Sequence, residues 1–567
     1  MGICDSKSTE TPRKNNVHPR YLRRNSTSAS TKHSLRKLSF PAPPTTNTNP
    51  PLSKRDPILL TETEQQQLPH KHTFKRRNTT NLNNTNNNNN LIISSGLVVD
   101  CNVNNPKSQY TIISKLGEGA FGNVWKVKKK QTGIIRAMKR IPKQRKRTLS
   151  NVHDIINEIE TLKQLDHPHI VKIFEFFIEA DGYYLITEYC RGGELFDVIK
   201  RKRALPEHIA ANIMYQLFTA VNYCHTTKQV IHRDLKPENI LVESIDEATG
   251  YYNIKVIDFG TAKIYEHDQH EHKIVGSTYY IAPEVLNKNY NAKCDIWSCG
   301  VILYMLLSGK VPFNGENSAK ILQKIKIGKY DLTRSPFDTI STHAKDLISQ
   351  CLDVNVKRRI TAKNALTHEW FRICDTKKYF CEVNKYFYNK IINNLITYTP
   401  KNKLQEVALT YLVHNFPNLD EVKCINKVFA NVNTHANGKV TKTEMTTAFK
   451  AYLHVNSDDE FDTKIEEIFS NIDTDKNGYI ENEEFIRAAL DKNVFLDEKV
   501  LRFIFEFLDK DGSGQITLDE LKRVFGVNAN KEAEGMLIKI IKDVDMDNNG
   551  EISFEEFKRM MINIINV

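Results

Sequence analysis

Three twelve-residue stretches near one end of a 567-residue chain place oxygen donors at positions 1, 3, 5 and 12, with glycine at position 6. The first runs from Asp473 through Asp475 and Asn477 to Glu484. The second runs from Asp509 through Asp511 and Ser513 to Glu520, and the third from Asp545 through Asp547 and Asn549 to Glu556. Position 7, which contributes a backbone carbonyl to such a cage, is Tyr479, Gln515 and Glu551. Hard oxygen ligands in this number, wrapped around a sharp glycine turn, suit Ca²⁺, and the pattern is that of an EF-hand loop. A further loop beginning at Asn433 keeps Gly438 and Glu444 but offers Asn433, His435 and Asn437 as ligands. One carboxylate and a histidine make a poor cage for a hard cation, so this loop is expected to be weak or empty and to serve as the structural partner of the next.

A second constellation lies upstream. Gly117-Glu118-Gly119-Ala120-Phe121-Gly122-Asn123-Val124 is followed by Ala137-Met138-Lys139 and Glu158. Then come His232-Arg233-Asp234-Leu235-Lys236-Pro237-Glu238-Asn239, Asp258-Phe259-Gly260 and Ala282-Pro283-Glu284. The glycine cluster alone is weak, because dinucleotide-binding folds share it. Flexible glycine backbone can close over phosphates, and transfer of an anionic phosphoryl group depends mainly on positioning and charge stabilisation. In order and spacing, residues 110–371 resemble the eukaryotic protein kinases.

That resemblance implies ATP bound by Gly117, Glu118, Gly119, Ala120, Phe121, Gly122, Val124, Ala137 and Lys139, with Glu188 and Cys190 in the adenine hinge. It implies Glu158 holding Lys139, Asn239 and Asp258 holding Mg²⁺, and Asp234 accepting the proton of the substrate hydroxyl. Lys236 is the variant typical of serine/threonine kinases. Glu194 and Glu238 fall where basophilic members read an arginine ahead of the target hydroxyl. Asp295 and the pair Glu284–Arg359 look like the family's braces. The segment 262–275 contains no Ser or Thr, and Lys273 stands at the usual phosphorylation position, so switching is not expected to need a phosphate there. A pseudokinase that keeps the fold without turnover is the rival reading, although no catalytic or metal position is substituted.

The elements that must position these residues are legible in outline. Tyr110 to Leu116 alternates as a strand, short strands continue to about Tyr189 around one helix near 151–166, and helical patterns dominate from Pro206 to Phe371. A small sheet-rich lobe on a larger helical lobe is expected. Residues 384–416 form two amphipathic runs separated by Pro400, carrying Phe387, Ile391 and Leu395, then Leu404, Val407 and Leu412. The four loops start 40, 36 and 36 residues apart, an internal repeat that makes two helical lobes. Their eighth residues, Val440, Ile480, Ile516 and Ile552, are β-branched and suit strand pairing between loops. The fold class is therefore α+β, a two-lobed kinase followed by an all-α domain of four EF-hands. The expected boundaries are a disordered basic tail over 1–109, kinase over 110–371, junction over 372–419, and EF-hand lobes over 420–490 and 491–567.

Kinase, junction and EF-hands in that order resemble the calcium-dependent protein kinases of plants and protists. The resemblance implies that residues near 380–400 block the substrate groove at low Ca²⁺, and that the helix from Asn402 to Phe416 is where the sensor docks. It also implies that no separate calmodulin is needed. A kinase that requires added calmodulin and a Ca²⁺-binding scaffold with a silent kinase fold are the alternatives.

Charge narrows the partners. The net charge of +12 divides into a basic segment 1–109, with 16 Lys/Arg against 6 Asp/Glu, and an acidic segment 420–567, with 19 against 30. This split argues against nucleic acid and for an anionic surface at one end with cations at the other. Met1-Gly2-Ile3-Cys4-Asp5-Ser6 fits N-myristoylation at Gly2, with Cys4 as a palmitoylation candidate beside a basic tail. Arg23-Arg-Asn-Ser26, Arg36-Lys-Leu-Ser39 and Arg76-Arg-Asn-Thr79 match the basophilic preference as autophosphorylation sites. Ten scattered cysteines without a C-x-x-C pair indicate reduced thiols. The expectation is a cytoplasmic monomer attached peripherally to membrane, acting on protein Ser/Thr in basic context.

Overall fold

The computed structural model describes residues 99–563 apart from 103–104, 120–121, 144–148, 248, 266–270, 377–384, 400–401, 418–419, 454–458, 492–496, 526 and 528–530. Gly2, Cys4 and the three tail motifs lie outside the described residues, as do Ala120, Phe121 and Pro400.

The first lobe is a six-stranded sheet built from β1 (Asp100–Asn102), β2 (Tyr110–Gly119), β3 (Gly122–Lys129), β4 (Ile135–Pro142), β5 (Ile173–Ile178) and β6 (Gly182–Thr187). Its order is β1-β5-β6-β4-β3-β2, antiparallel throughout except for the parallel pair β1–β5. The strand at Asp100–Asn102 and a helical turn at Pro106–Gln109 correct the reading of everything before Tyr110 as disordered tail. Polar composition masked a short Val-Val-Asp-Cys run whose Val99 is buried in the kinase core. Helix α1 (Leu149–Gln164) packs on this lobe through Ile155, Ile159 and Leu162.

The second lobe is mainly helical, with α2 (Leu195–Lys202), α3 (Glu207–Asn222), α4 (Lys293–Ser308), α5 (Ser318–Ile327) and α6 (Thr342–Cys351). Helix α4 is buried along nearly its full length, which accounts for an apolar run with little amphipathic periodicity. The helical expectation from Pro206 onward missed four short strands, β7 (Val230–Ile231), β8 (Ile240–Ile245), β9 (Tyr252–Val256) and β10 (Lys263–Ile264). They frame the catalytic segments, where chemistry rather than periodicity selects the residues.

The junction forms α7 (Lys385–Ile396) and α8 (Lys403–Asn415). The EF-hand region follows as α9 (Asp420–Val432), α10 (Lys442–Leu453), α11 (Asp459–Ile472), α12 (Asn482–Ala489), α13 (Glu498–Leu508), α14 (Leu518–Phe525), α15 (Lys531–Val544) and α16 (Phe554–Ile562). The loops pair in twos through short strands β11 (Lys439–Val440) with β12 (Ile480–Glu481), and β13 (Gln515–Ile516) with β14 (Ile552–Ser553). Val440 faces Ile480 and Ile516 faces Ile552 in register.

Both junction helices contribute to the core of the sensor. Ile391, Leu395, Leu404, Val407, Leu412 and Val413 belong to one buried cluster with the EF-hand helices. Phe387 is the exception, exposed beside Tyr386 at the start of α7. Helix α8 has no solvent face, since every residue from Leu404 to Asn415 is buried. Gln405 Nε2 donates to the Met560 carbonyl at 2.8 Å, and Arg487 Nη1 to Thr410 Oγ1 at 3.1 Å. Tyr411 stacks on Phe507 with centroids 3.8 Å apart. At its end α8 meets the kinase, where His414 Nε2 pairs with the Ile173 carbonyl at 2.8 Å and the Asn415 carbonyl accepts from Arg136.

Burial pushes the His414 imidazole down to about 3, with nearby Lys172 and Arg136 acting in the same direction and the Ile173 carbonyl and Asp166 opposing. The exposed imidazole protonates near 6.5, so below that pH the undocked state takes up a proton that the docked state refuses. The contribution of His414 to docking is therefore fully present above pH 6.5 and weakens as pH falls, by about 1.4 kcal/mol or tenfold at pH 5.5. Hydrogen exchange over residues 403–415 of the full chain should show this slope, and His414→Gln, which keeps a donor but does not titrate, should flatten it.

Candidate functional site

Strand β4 places Lys139 opposite Val124 of the β2–β3 hairpin, which carries the glycine cluster. Gly122 adopts φ +134°, and a Cβ there would lie 1.8 Å from the Arg140 carbonyl, so no other residue fits. Lys139 Nζ stands 3.1 Å from Glu158 Oε1 and 3.2 Å from Asp258 Oδ1. Burial alone would lower the ammonium, but Glu158 and Asp258 outweigh it and hold it firmly charged. Asp258 has φ +65°, which turns its carboxylate back towards Lys139, and Lys139 holds it below the usual range against burial.

Asp234 is nearly enclosed by donors. Lys236 Nζ lies 2.6 Å from Oδ2, and Ser277 donates to Oδ1 from Oγ at 2.8 Å and from its backbone at 3.0 Å. Asn239 Nδ2 donates to the Asp234 carbonyl at 2.8 Å, which turns its amide oxygen away for a cation. The loop is held from beneath by Asp295, whose carboxylate accepts from the backbones of His232 and Arg233 at 2.9 Å each and pairs with His225 at 2.8 Å. Arg359 Nη2 meets Glu284 Oε2 at 2.9 Å beneath the activation segment. Gly117, Glu118, Gly119, Val124 and Ala137 lie on β2, β3 and β4 around Lys139. Cys190 is buried, while the Glu188 carboxylate turns inward to the Lys172 backbone at 2.7 Å and to Lys255 at 2.9 Å. The Glu188 side chain is thus turned away from any nucleotide contact in the hinge.

Glu238 is close enough to perturb Glu194. Burial raises both carboxyls, and Asp197 and Glu238 raise Glu194 further. Glu238 Oε2 is buried without a hydrogen-bond partner.

Sequence reasoning missed Glu271. This buried carboxylate takes Lys263 Nζ at 2.7 Å and Arg233 Nη1 at 3.4 Å, and its backbone bridges to Tyr290. Arg233 adjoins Asp234, so Glu271 supplies negative charge from the segment 262–275, which contains no Ser or Thr. An acid facing an arginine across 38 residues leaves no local periodicity, and only the missing hydroxyls hinted at it.

In the EF-hand region, ligand atoms of Asp473, Asp475 and Glu484 lie within 4.8 Å of one another, as do those of Asp509, Asp511 and Glu520, and of Asp545, Asp547 and Glu556. Position 1 is pre-oriented in each loop by the glycine at position 6: the backbone N–H groups of Gly478, Gly514 and Gly550 donate to the first aspartate at 3.0, 2.8 and 2.8 Å. Asn477, Ser513 and Asn549, with the position-7 residues Tyr479, Gln515 and Glu551, complete loops of suitable donor chemistry for Ca²⁺. Burial pushes Asp473 up to about 6 and Glu484 to about 7, so an ion entering that loop displaces protons. The loop at 433–444 lacks a comparable acidic cluster among the described residues; His435 Nδ1 lies 2.7 Å from Glu444 Oε1.

Comparison with known proteins agrees with both halves. Residues 110–371 match the protein kinase domain, and residues 421–490 and 498–562 each match an EF-hand domain pair. The chain is 39% identical over 426 residues to calcium-dependent protein kinase 4 of Plasmodium berghei, covering 74% of this chain and 80% of that protein. It is 38% identical over 427 residues to calcium-dependent protein kinase 4 of Plasmodium falciparum, with 74% and 80% covered. Against calcium-dependent protein kinase 5 of Plasmodium falciparum it is 37% identical over 416 residues, with 73% and 70% covered.

Glu271→Ala should lower kcat about tenfold or more, because a hydrogen bond to a charged group contributes roughly 1.5–3 kcal/mol. Glu271→Asp should recover part of that loss. Steady-state assays on protein shown by mass spectrometry to carry no phosphate within 262–275 provide the measurement.

Proposed function

The chain belongs to the calcium-dependent protein kinases, and from that premise we propose that it transfers the γ-phosphate of ATP to Ser or Thr in basic sequence context, under control of its own EF-hands. The enclosure of the Asp234 carboxylate by Lys236 and Ser277 is the observation that carries the chemistry. Asp234 orients the attacking hydroxyl and accepts its proton, and Lys236 offsets charge beside it. Mg²⁺ held by Asn239 and Asp258 would neutralise charge on the phosphates. Glu238, with its unpartnered oxygen, and Glu194 supply the anionic seat for an arginine.

In this reading the junction covers the peptide groove at low Ca²⁺ and joins the sensor core when the loops fill. Shifting such an equilibrium from 1:99 to 99:1 takes about 5.5 kcal/mol, so three loops need supply only about 1.8 kcal/mol each. The sensor is already part of the chain, so added calmodulin should change nothing. Acylation at Gly2, with Cys4 as a second anchor, would hold the protein peripherally on an anionic membrane from the cytoplasmic side.

The deciding assay uses full-length protein, Mg-ATP and peptide, with Ca²⁺ or with chelator. Turnover should rise at least about tenfold with Ca²⁺, and equal rates would sink the regulatory reading. Glu238→Gln should raise KM for an arginine-containing peptide about tenfold with little change in kcat, the mark of lost ground-state binding. Partition of Gly2→Ala protein between soluble and membrane fractions tests the anchor, and unchanged retention would remove it.

A further inference from the structure

The loop with the poorest ligand set, 433–444, also offers three successive backbone carbonyls to the kinase. Asn222 Nδ2 donates to the Ala436 carbonyl at 2.9 Å and to the His435 carbonyl at 3.4 Å. Thr227 Oγ1 donates to the Asn437 carbonyl at 2.6 Å. These carbonyls belong to positions 3, 4 and 5 of the loop. Position 6, Gly438, lies against the Tyr223 ring, where an added Cβ would come within 2.4 Å of Cδ2. At the equivalent Gly478, Gly514 and Gly550 an added Cβ would meet nothing within 4 Å. All four glycines have positive φ, so turn geometry alone does not account for the contact at Gly438.

The receiving surface is a built one. Residues 223–227 form a π-helical turn at the end of α3, a widened geometry that is rare and concentrated at functional positions. Tyr223 is fixed from behind, its hydroxyl accepting from the Asp166 backbone at 2.9 Å and its ring stacking on His167 at 5.2 Å. Lys228 Nζ then reaches Glu481 at 3.0 Å, on the strand paired with Lys439. Asp166 Oδ2 accepts from the Glu483 backbone at 2.7 Å. Inside the loop, Glu444 is served by Thr434 Oγ1 at 2.8 Å and Thr441 Oγ1 at 2.9 Å as well as by His435. Its carboxylate is satisfied by the chain itself.

We propose that the loop 433–444 is a protein-binding loop, which grips the end of α3 and the turn after it, residues 222–227 of the kinase, through its backbone carbonyls and docks the sensor without a calcium ion of its own. Docking needs Gly438 and three carbonyls, none of which depends on acidic side chains at positions 1 and 3. Asn433 and His435 at those positions are therefore compatible with the loop fold. The consequence for activation rests on the calcium-regulated reading above, whereas the contact itself does not.

The test uses the full chain at saturating Ca²⁺, comparing wild type with Asn222→Ala/Thr227→Val and with Thr227→Ser as a conservative control. Wild type and control should bind three ions by calorimetry and protect amides 433–441 from exchange. The double variant should still bind three ions but lose about tenfold of that protection, as expected for two or three lost hydrogen bonds. It should also need more Ca²⁺ for half-maximal turnover. Unchanged protection in the double variant, or four ions of similar affinity in wild type, overturns the proposal. If wild-type turnover ignores Ca²⁺, the regulatory reading fails while the exchange comparison still decides the docking.

Discussion

A helix buried on every side is hard to satisfy when it carries polar residues, and α8 carries five: Gln405, Glu406, Thr410, His414 and Asn415. Each buried group left unpaired costs about 1–3 kcal/mol. The partners that α8 uses come from three different bodies of structure. Met560 belongs to the second EF-hand lobe, Arg487 to the first, and Ile173 and Arg136 to the kinase sheet. Removing any one body exposes apolar surface and orphans a hydrogen bond at once. The docked arrangement is cooperative for that reason, and it does not depend on a single strong contact.

The same arrangement reaches the catalytic residues by short steps. His414 and Arg136 border the start of β5 and β4, and β4 carries Lys139 three residues further on. Asp166, which accepts from the Glu483 backbone, follows α1, the helix that carries Glu158. The sensor therefore touches the flanks of both elements whose side chains form the Lys139–Glu158 pair. These are packed and hydrogen-bonded neighbours, which is the physical basis on which occupancy of the sensor can bias the position of an ion pair. Asp295 and the Arg233–Glu271 pair act from the other side and hold the catalytic loop from within the helical lobe.

How much of this could be read from the chain depended on the range of each constraint. The EF-hand loops are local, because ligand and turn residues fall within twelve positions, and the strand pairing of Val440 with Ile480 followed from one β-branched residue per loop. The kinase motifs were legible because phosphoryl transfer tolerates few residue types at each point. Glu271 and Arg233 come from segments 38 residues apart, and Asn222 meets Ala436 across 214, so neither left a periodic trace. Phe387 illustrates the converse. It fits the apolar period of α7 yet remains exposed, since periodicity states which face is apolar and not whether a partner covers it. Glu188 marks a third limit, where position along the strand was legible and the inward turn of its carboxylate to Lys255 was not.

The burial of α7 also limits what an inhibitory state can look like. Ile391, Ile392 and Leu395 are each no more than 2% exposed and share one core with α9, α11 and α12. A segment whose apolar face is largely enclosed by the sensor has only its remaining surface, including the exposed Tyr386 and Phe387, available for any other partner. If the junction is to occupy the peptide groove through its apolar face, the sensor must first release these residues, exposing several large side chains at about 1.5–3 kcal/mol apiece. On the proposed inhibitory reading, groove and sensor core would compete for the same atoms, and the two placements of α7 would exclude one another. Under that proposal, such competition would convert graded filling of three loops into a two-state outcome.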